Sequence, residues 1–103
     1  MENNPYSTVP YNFGALPPDD CTLERSRVVL LPVPYEQTTC FIGGTRLGPA
    51  AIVNASRNME LYDEELDCEV YRVGIHTLGE LEPQMAGPRE MVCQVYEVVS
   101  SLL

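Results

Sequence analysis

Arg27-Val28-Val29-Leu30-Leu31-Pro32-Val33-Pro34-Tyr35 is the stretch that decides the fold class. Val28 to Leu31 is a continuous apolar run of β-branched and leucine side chains. A strand with one face in water alternates apolar and polar residues. A continuous run points instead to a strand covered on both faces, as in a parallel sheet. Pro32 and Pro34 end its ladder, because neither can donate a backbone hydrogen bond. A loop, 36–48, follows, and Pro49 opens a helix where its missing N–H would be unpaired in any case. Ile52, Ala55, Ser56, Met59 and Tyr62 fall on one helical stripe at spacings of three and four. Val70 to Ile75 reads as a second strand, followed by a loop carrying His76. Gly87-Pro88 repeats the helix opening, and Met91, Val92, Val95, Val98, Val99 and Leu102 supply an apolar stripe that runs to the C-terminus.

The order is arm, β, α, β, α, the start of an alternating α/β fold in which a right-handed crossover makes the two strands parallel. Residues 1–26 form the arm. Pro5, Pro10, Pro17 and Pro18 block regular helix there, while Tyr6, Tyr11, Phe13 and Leu16 give it something to bury, on its own domain or on a neighbouring subunit. Two strands alone leave both sheet edges unpaired, and parallel strands occur in larger, doubly covered sheets. Residues 27–103 therefore read as the first two βα units of an incomplete α/β domain.

Composition narrows the function. The 103 residues hold 15 Asp and Glu against 6 basic residues, for a net charge of −9. That charge repels phosphate backbones and anionic lipid, so neither nucleic acid nor membrane is an expected partner. No run reaches the ~20 apolar residues of a membrane span. The first residues have neither the basic region nor the apolar stretch of a secretion signal. Cys21, Cys40, Cys68 and Cys93 form no Cys-x-x-Cys pair and read as reduced thiols of a cytoplasmic protein.

The loop Gly43-Gly44-Thr45-Arg46-Leu47-Gly48-Pro49 sits between strand and helix, where phosphates are often cradled. It has neither a Gly-Lys-Ser/Thr ending nor Gly-x-Gly-x-x-Gly. We read Gly44, Arg46, Gly48 and Pro49 as a structural turn, with Arg46 tying the loop to a carboxylate or to carbonyls. Asp63, Glu64, Glu65, Asp67 and Glu69 read as a solvated acidic turn; the central glycine of a calcium loop is missing. His76 is the only histidine and stays unassigned. Glu36, Thr38 and Thr39 follow the first strand and so fall on the side where open α/β sheets keep their ligands. They are candidates for a pocket wall.

Val29-Leu30-Leu31-Pro32-Val33-Pro34-Tyr35-Glu36 followed by Gly44-Thr45-Arg46-Leu47-Gly48-Pro49-Ala50-Ala51-Ile52 resembles the beginning of the agmatinase and arginase family, the ureohydrolases. Leu61-Tyr62-Asp63-Glu64-Glu65, Val73-Gly74-Ile75-His76-Thr77 and Phe13-Gly14-Ala15-Leu16-Pro17 are similar to later and earlier parts of the same region. The resemblance covers roughly residues 12–103. It implies the N-terminal βαβα portion of an arginase-like three-layer α/β/α fold with a parallel sheet, preceded by an extended arm. It also implies a hydrolase of agmatine-like guanidino compounds, yielding putrescine and urea, with two Mn²⁺ ions in the full-length enzyme. The family's metal-ligand strings, Gly-Gly-Asp-His, Asp-Ala-His-x-Asp and Ser-x-Asp-x-Asp, do not occur here. No catalytic, cofactor-binding or metal-ligating residue is therefore carried over. The chain alone is expected to bind no cofactor and to be inactive. Its expected partners are further copies of itself or the remaining C-terminal part of the enzyme. The alternative is a non-catalytic interaction or oligomerisation module, or a remnant of the family.

Overall fold

A computed structural model describes residues 8–36 and 43–103. The first strand, β1, spans Val28–Leu30. Helix α1 spans Gly48–Ser56, strand β2 Ile75–Thr77 and helix α2 Pro88–Leu102. Short 3₁₀ turns lie at Pro18–Asp20, Thr45–Leu47 and Val70–Val73. β1 and β2 pair in parallel, with Val28 opposite Ile75, Val29 opposite His76 and Leu30 opposite Thr77. The parallel pairing is the one expected from the continuous apolar run, with a helix between the strands in the chain, but the expected double cover is not present: Val28 is exposed and no β1 residue is buried.

The second strand starts later than the sequence pattern suggests. Val70–Val73 winds into a 3₁₀ turn, and the ladder begins only after Gly74. Gly74 explains the shift. Its φ of +86° is a left-handed conformation that L side chains rarely adopt. A Cβ there would also lie 2.7 Å from the Ser26 Cα. The Gly74 carbonyl takes the N–H of both Arg27 and Val28 at 3.1 Å, so this pinch sets the register. His76 consequently sits inside the strand rather than in the loop after it.

Helix α1 is shorter than its stripe. It ends at Ser56, so Met59 and Tyr62 lie beyond it. Its inward residues are Val53 and Ser56, whereas Ile52 is exposed. Past the helix, Asp63 and Cys68 close the acidic segment as an isolated antiparallel bridge, with Asp63 N–H to Cys68 carbonyl at 2.9 Å. Among the described residues, the buried apolar side chains are Leu16, Cys21, Val53 and Met91, two from the arm and one from each helix. Leu16, fully buried, comes from the arm. Two of these four, Leu16 and Cys21, precede β1, so the segment before the first strand carries as much of the core as the two helices.

Candidate functional site

The carboxyl-end face of the sheet is where the two strands release the chain. Leu78 N–H donates to the Leu30 carbonyl and Leu81 N–H to the Pro32 carbonyl, both at 3.0 Å. The two exits thus run side by side beyond the last ladder pair. A cavity of about 250 Å³ opens there, lined among others by Tyr11, Pro32, Pro49, Thr77 and Glu80. The arm forms part of its rim. Phe13 N–H donates to Thr77 Oγ1 at 2.9 Å. Gly14 N–H donates to the buried Ser56 hydroxyl at 3.0 Å, and that hydroxyl donates to the Val53 carbonyl. Arg57 adds a clamp: Nε donates to the Pro10 carbonyl at 3.0 Å and Nη2 to the Val9 carbonyl at 3.1 Å, with its guanidinium 5.1 Å from the Tyr11 ring centre. Sequence reasoning missed Ser56, Arg57 and Thr77. An apolar stripe does not reveal that one of its small members receives a backbone amide from forty residues away.

Among the residues proposed from sequence, Glu36 and Arg46 are brought together. The Arg46 guanidinium donates to Glu36 Oε1, and Gly44 N–H donates to Oε2 at 2.6 Å. The Gly44 amide, and then Arg46, hold the Glu36 carboxyl below its ordinary value. Gly48 and Pro49 form the first turn of α1. Thr38 and Thr39 lie outside the described residues.

His76 is half-buried in β2, with Nδ1 2.8 Å from the Cys21 carbonyl. A carbonyl can only accept, so Nδ1 carries the proton and ties the arm to the strand. The acidic turn is internally tied as well: the Tyr62 hydroxyl donates to Asp67 and Leu66 N–H to Asp63 Oδ1 at 3.0 Å. Beside it, a cavity of about 530 Å³ is lined by Phe13, Tyr62, Glu64 and Tyr71 among others. Among the described residues, no group of three or more His, Cys, Asp or Glu side chains could hold a metal ion. A manganese pair needs several such ligands converging on two ions about 4 Å apart. The described residues do not fit one.

Residues 26–103 match the family model of the arginase family. The chain belongs to the arginase family. It is 45% identical over 71 residues to an N(1)-aminopropylagmatine ureohydrolase of Thermus thermophilus, covering 69% of this chain and 24% of that protein. A Thermococcus kodakarensis protein of the same name is 30% identical over 97 residues, 94% of this chain and 32% of its own length. An agmatinase of Bacillus cereus is 30% identical over 82 residues, 80% of this chain and 28% of its own. The arginase-family chain thus spans about a quarter to a third of the curated relatives it matches. No solved structure matches it at a significant level. Among the described residues, no helix is long and apolar enough to cross a membrane.

Proposed function

We propose that this chain supplies the arm and the first two βα units of a ureohydrolase acting on an agmatine-like guanidino cation. The observation that carries the reading is the 45% identity to the Thermus ureohydrolase across 71 residues. The reaction adds water at the guanidinium carbon and breaks one C–N bond, releasing an amine and urea. The substrate is agmatine or an N(1)-alkylated agmatine; the relatives carry both names. The chain's net charge of −9 suits a polycation. With one histidine in the whole sequence, the 103 residues alone are inactive in this reading. Metal ligands come from the rest of the fold, supplied by another polypeptide or by further sequence. The enzyme is cytoplasmic and oligomeric.

A chimera tests it. The matching segment of the Thermus enzyme is replaced by the corresponding residues of this chain, and urea release from agmatine and N(1)-aminopropylagmatine is measured. A chimera that melts cooperatively and releases urea supports the reading; one that melts cooperatively and releases none counts against it. Urea from the 103-residue chain alone would refute the claim that the chain lacks a complete site. A second reading, a non-catalytic interaction module, draws on the exposed side chains Val92, Tyr96, Val99 and Leu102 along α2. A folded but inactive chimera would favour it.

A further inference from the structure

We infer that the Glu36 carboxylate, seated on the Gly44 amide and the Arg46 guanidinium, is a latch that closes the connection between β1 and α1, and that Glu36 acts as a positioning residue of the carboxyl-end face rather than a group that meets substrate. The latch goes beyond the catalytic reading and does not depend on it.

Glu36 follows β1 by six residues and Gly44 precedes α1 by four. The carboxylate therefore joins the exit of a strand to the entrance of a helix across a separation of eight residues. Both its oxygens are used: Oε2 by the Gly44 N–H, Oε1 by Arg46. Thr45 N–H adds a smaller contribution from the same side. The side chain is only 13% exposed, while that of Arg46 is 60% exposed. The anion is thus the enclosed partner and the cation reaches in from solvent.

The backbone is shaped for this. Gly44 has φ +123°, a conformation open to glycine and strained for other residues. It opens the 3₁₀ turn Thr45–Leu47, and Leu47 N–H returns to the Gly44 carbonyl at 2.9 Å. Successive amides of such a turn make a small anion-binding concavity, and here the chain's own carboxylate fills it. Among the described residues, Arg46 is the charged group that meets Glu36, and a Cβ added at Gly43 would lie 3.3 Å from Oε2, so a side chain there would crowd the carboxylate. Each oxygen keeps a lone pair, but the amide and the guanidinium already offset the negative charge that an incoming cation would seek. The role assigned to Glu36 in this proposal is accordingly a positioning one.

The test is amide exchange at Gly44 in the purified chain, with the amides of α2 as an internal reference for global unfolding. At neutral pH, Gly44 should exchange about tenfold more slowly in the wild type than in Glu36→Gln, the expected size for a hydrogen bond to a charged group. Protection in the wild type should vanish as pH falls below 4.5, the ordinary glutamate value, while α2 stays protected. Glu36→Gln should show no such pH dependence after correction for intrinsic exchange. Glu36→Asp should recover part of the protection. Equal Gly44 exchange in wild type and Glu36→Gln would overturn the latch. So would a wild-type pH profile matching that of Glu36→Gln. The wild-type titration alone decides the matter should Glu36→Gln fail to fold.

Discussion

At the scale of single residues, the structure concentrates its weight in a few places. Leu16 is fully buried although it belongs to a proline-rich arm. Truncation to Ala leaves a cavity as well as losing burial, so Leu16→Ala should cost ~2–5 kcal/mol. The measurement is the urea midpoint at fixed protein concentration; a loss under 1 kcal/mol, on the order of an exposed-site change, would place Leu16 outside the core. Gly74→Ala puts a side chain at φ +86° against backbone only 2.7 Å away. The left-handed backbone alone costs roughly 1–3 kcal/mol, and the contact must add to it. An unchanged midpoint would show that the β1–β2 pinch relaxes freely. Cysteine reactivity follows the same local logic. Burial, and then Asp20, push the Cys21 thiol above its ordinary value, and the thiolate is the reactive form. Cys93 is exposed on α2. Maleimide should therefore label Cys93 well before Cys21, as read by peptide mass mapping; the reverse order would contradict the arm's packing.

At the scale of elements, legibility tracked how far apart the determining partners lie. The parallel pairing of β1 was readable because one short apolar run carries its own signature. The start of β2 was not. Val70, Tyr71 and Val73 have strand-like composition, yet they wind into a 3₁₀ turn because Gly74 must meet Ser26. That distant backbone leaves no mark near residue 70. Helix α2 was readable at its start, from Gly87-Pro88. Its stripe was only half right: Met91 is buried, whereas Val92 and Val99 face solvent. Of the proposed site, the joining of Arg46 to a carboxylate follows from residue chemistry, but the polar seat of the arm on α1 does not. Ser56→Ala tests that seat. It leaves the Gly14 N–H without its buried acceptor, which should cost about 1–3 kcal/mol. The same substitution should speed amide exchange at Gly14 while α2 remains protected; unaltered exchange there would mean the arm is held by other contacts alone.

At the scale of the whole molecule, the chain keeps too much surface. Its accessible area is 8029 Å², against about 5,800 Å² for a folded monomer of 11.5 kDa. Its radius of gyration is 16.3 Å, where a compact domain of this length has ~13 Å. Among the described residues, Val92, Tyr96 and Val99 leave an exposed apolar face along α2, the kind of patch that marks a contact surface. The purified chain should therefore associate in light scattering. Replacing Val92 and Tyr96 by Glu should raise the monomer fraction without changing helix content by circular dichroism. A wild-type chain that stays monodisperse and monomeric at all concentrations, with a sharp unfolding transition, would mark an autonomous domain. The docking of the arm has a further consequence, in time rather than energy. The Phe13–Thr77 hydrogen bond spans 64 residues, and the tie between His76 and Cys21 spans 55. At 5–20 residues per second, a ribosome takes ~3–13 s to make the acceptor for Phe13 after Phe13 itself. Throughout that interval the segment holding Leu16 has at most its seat on Ser56 and Arg57, and its ties to β2 close only when that strand has been made.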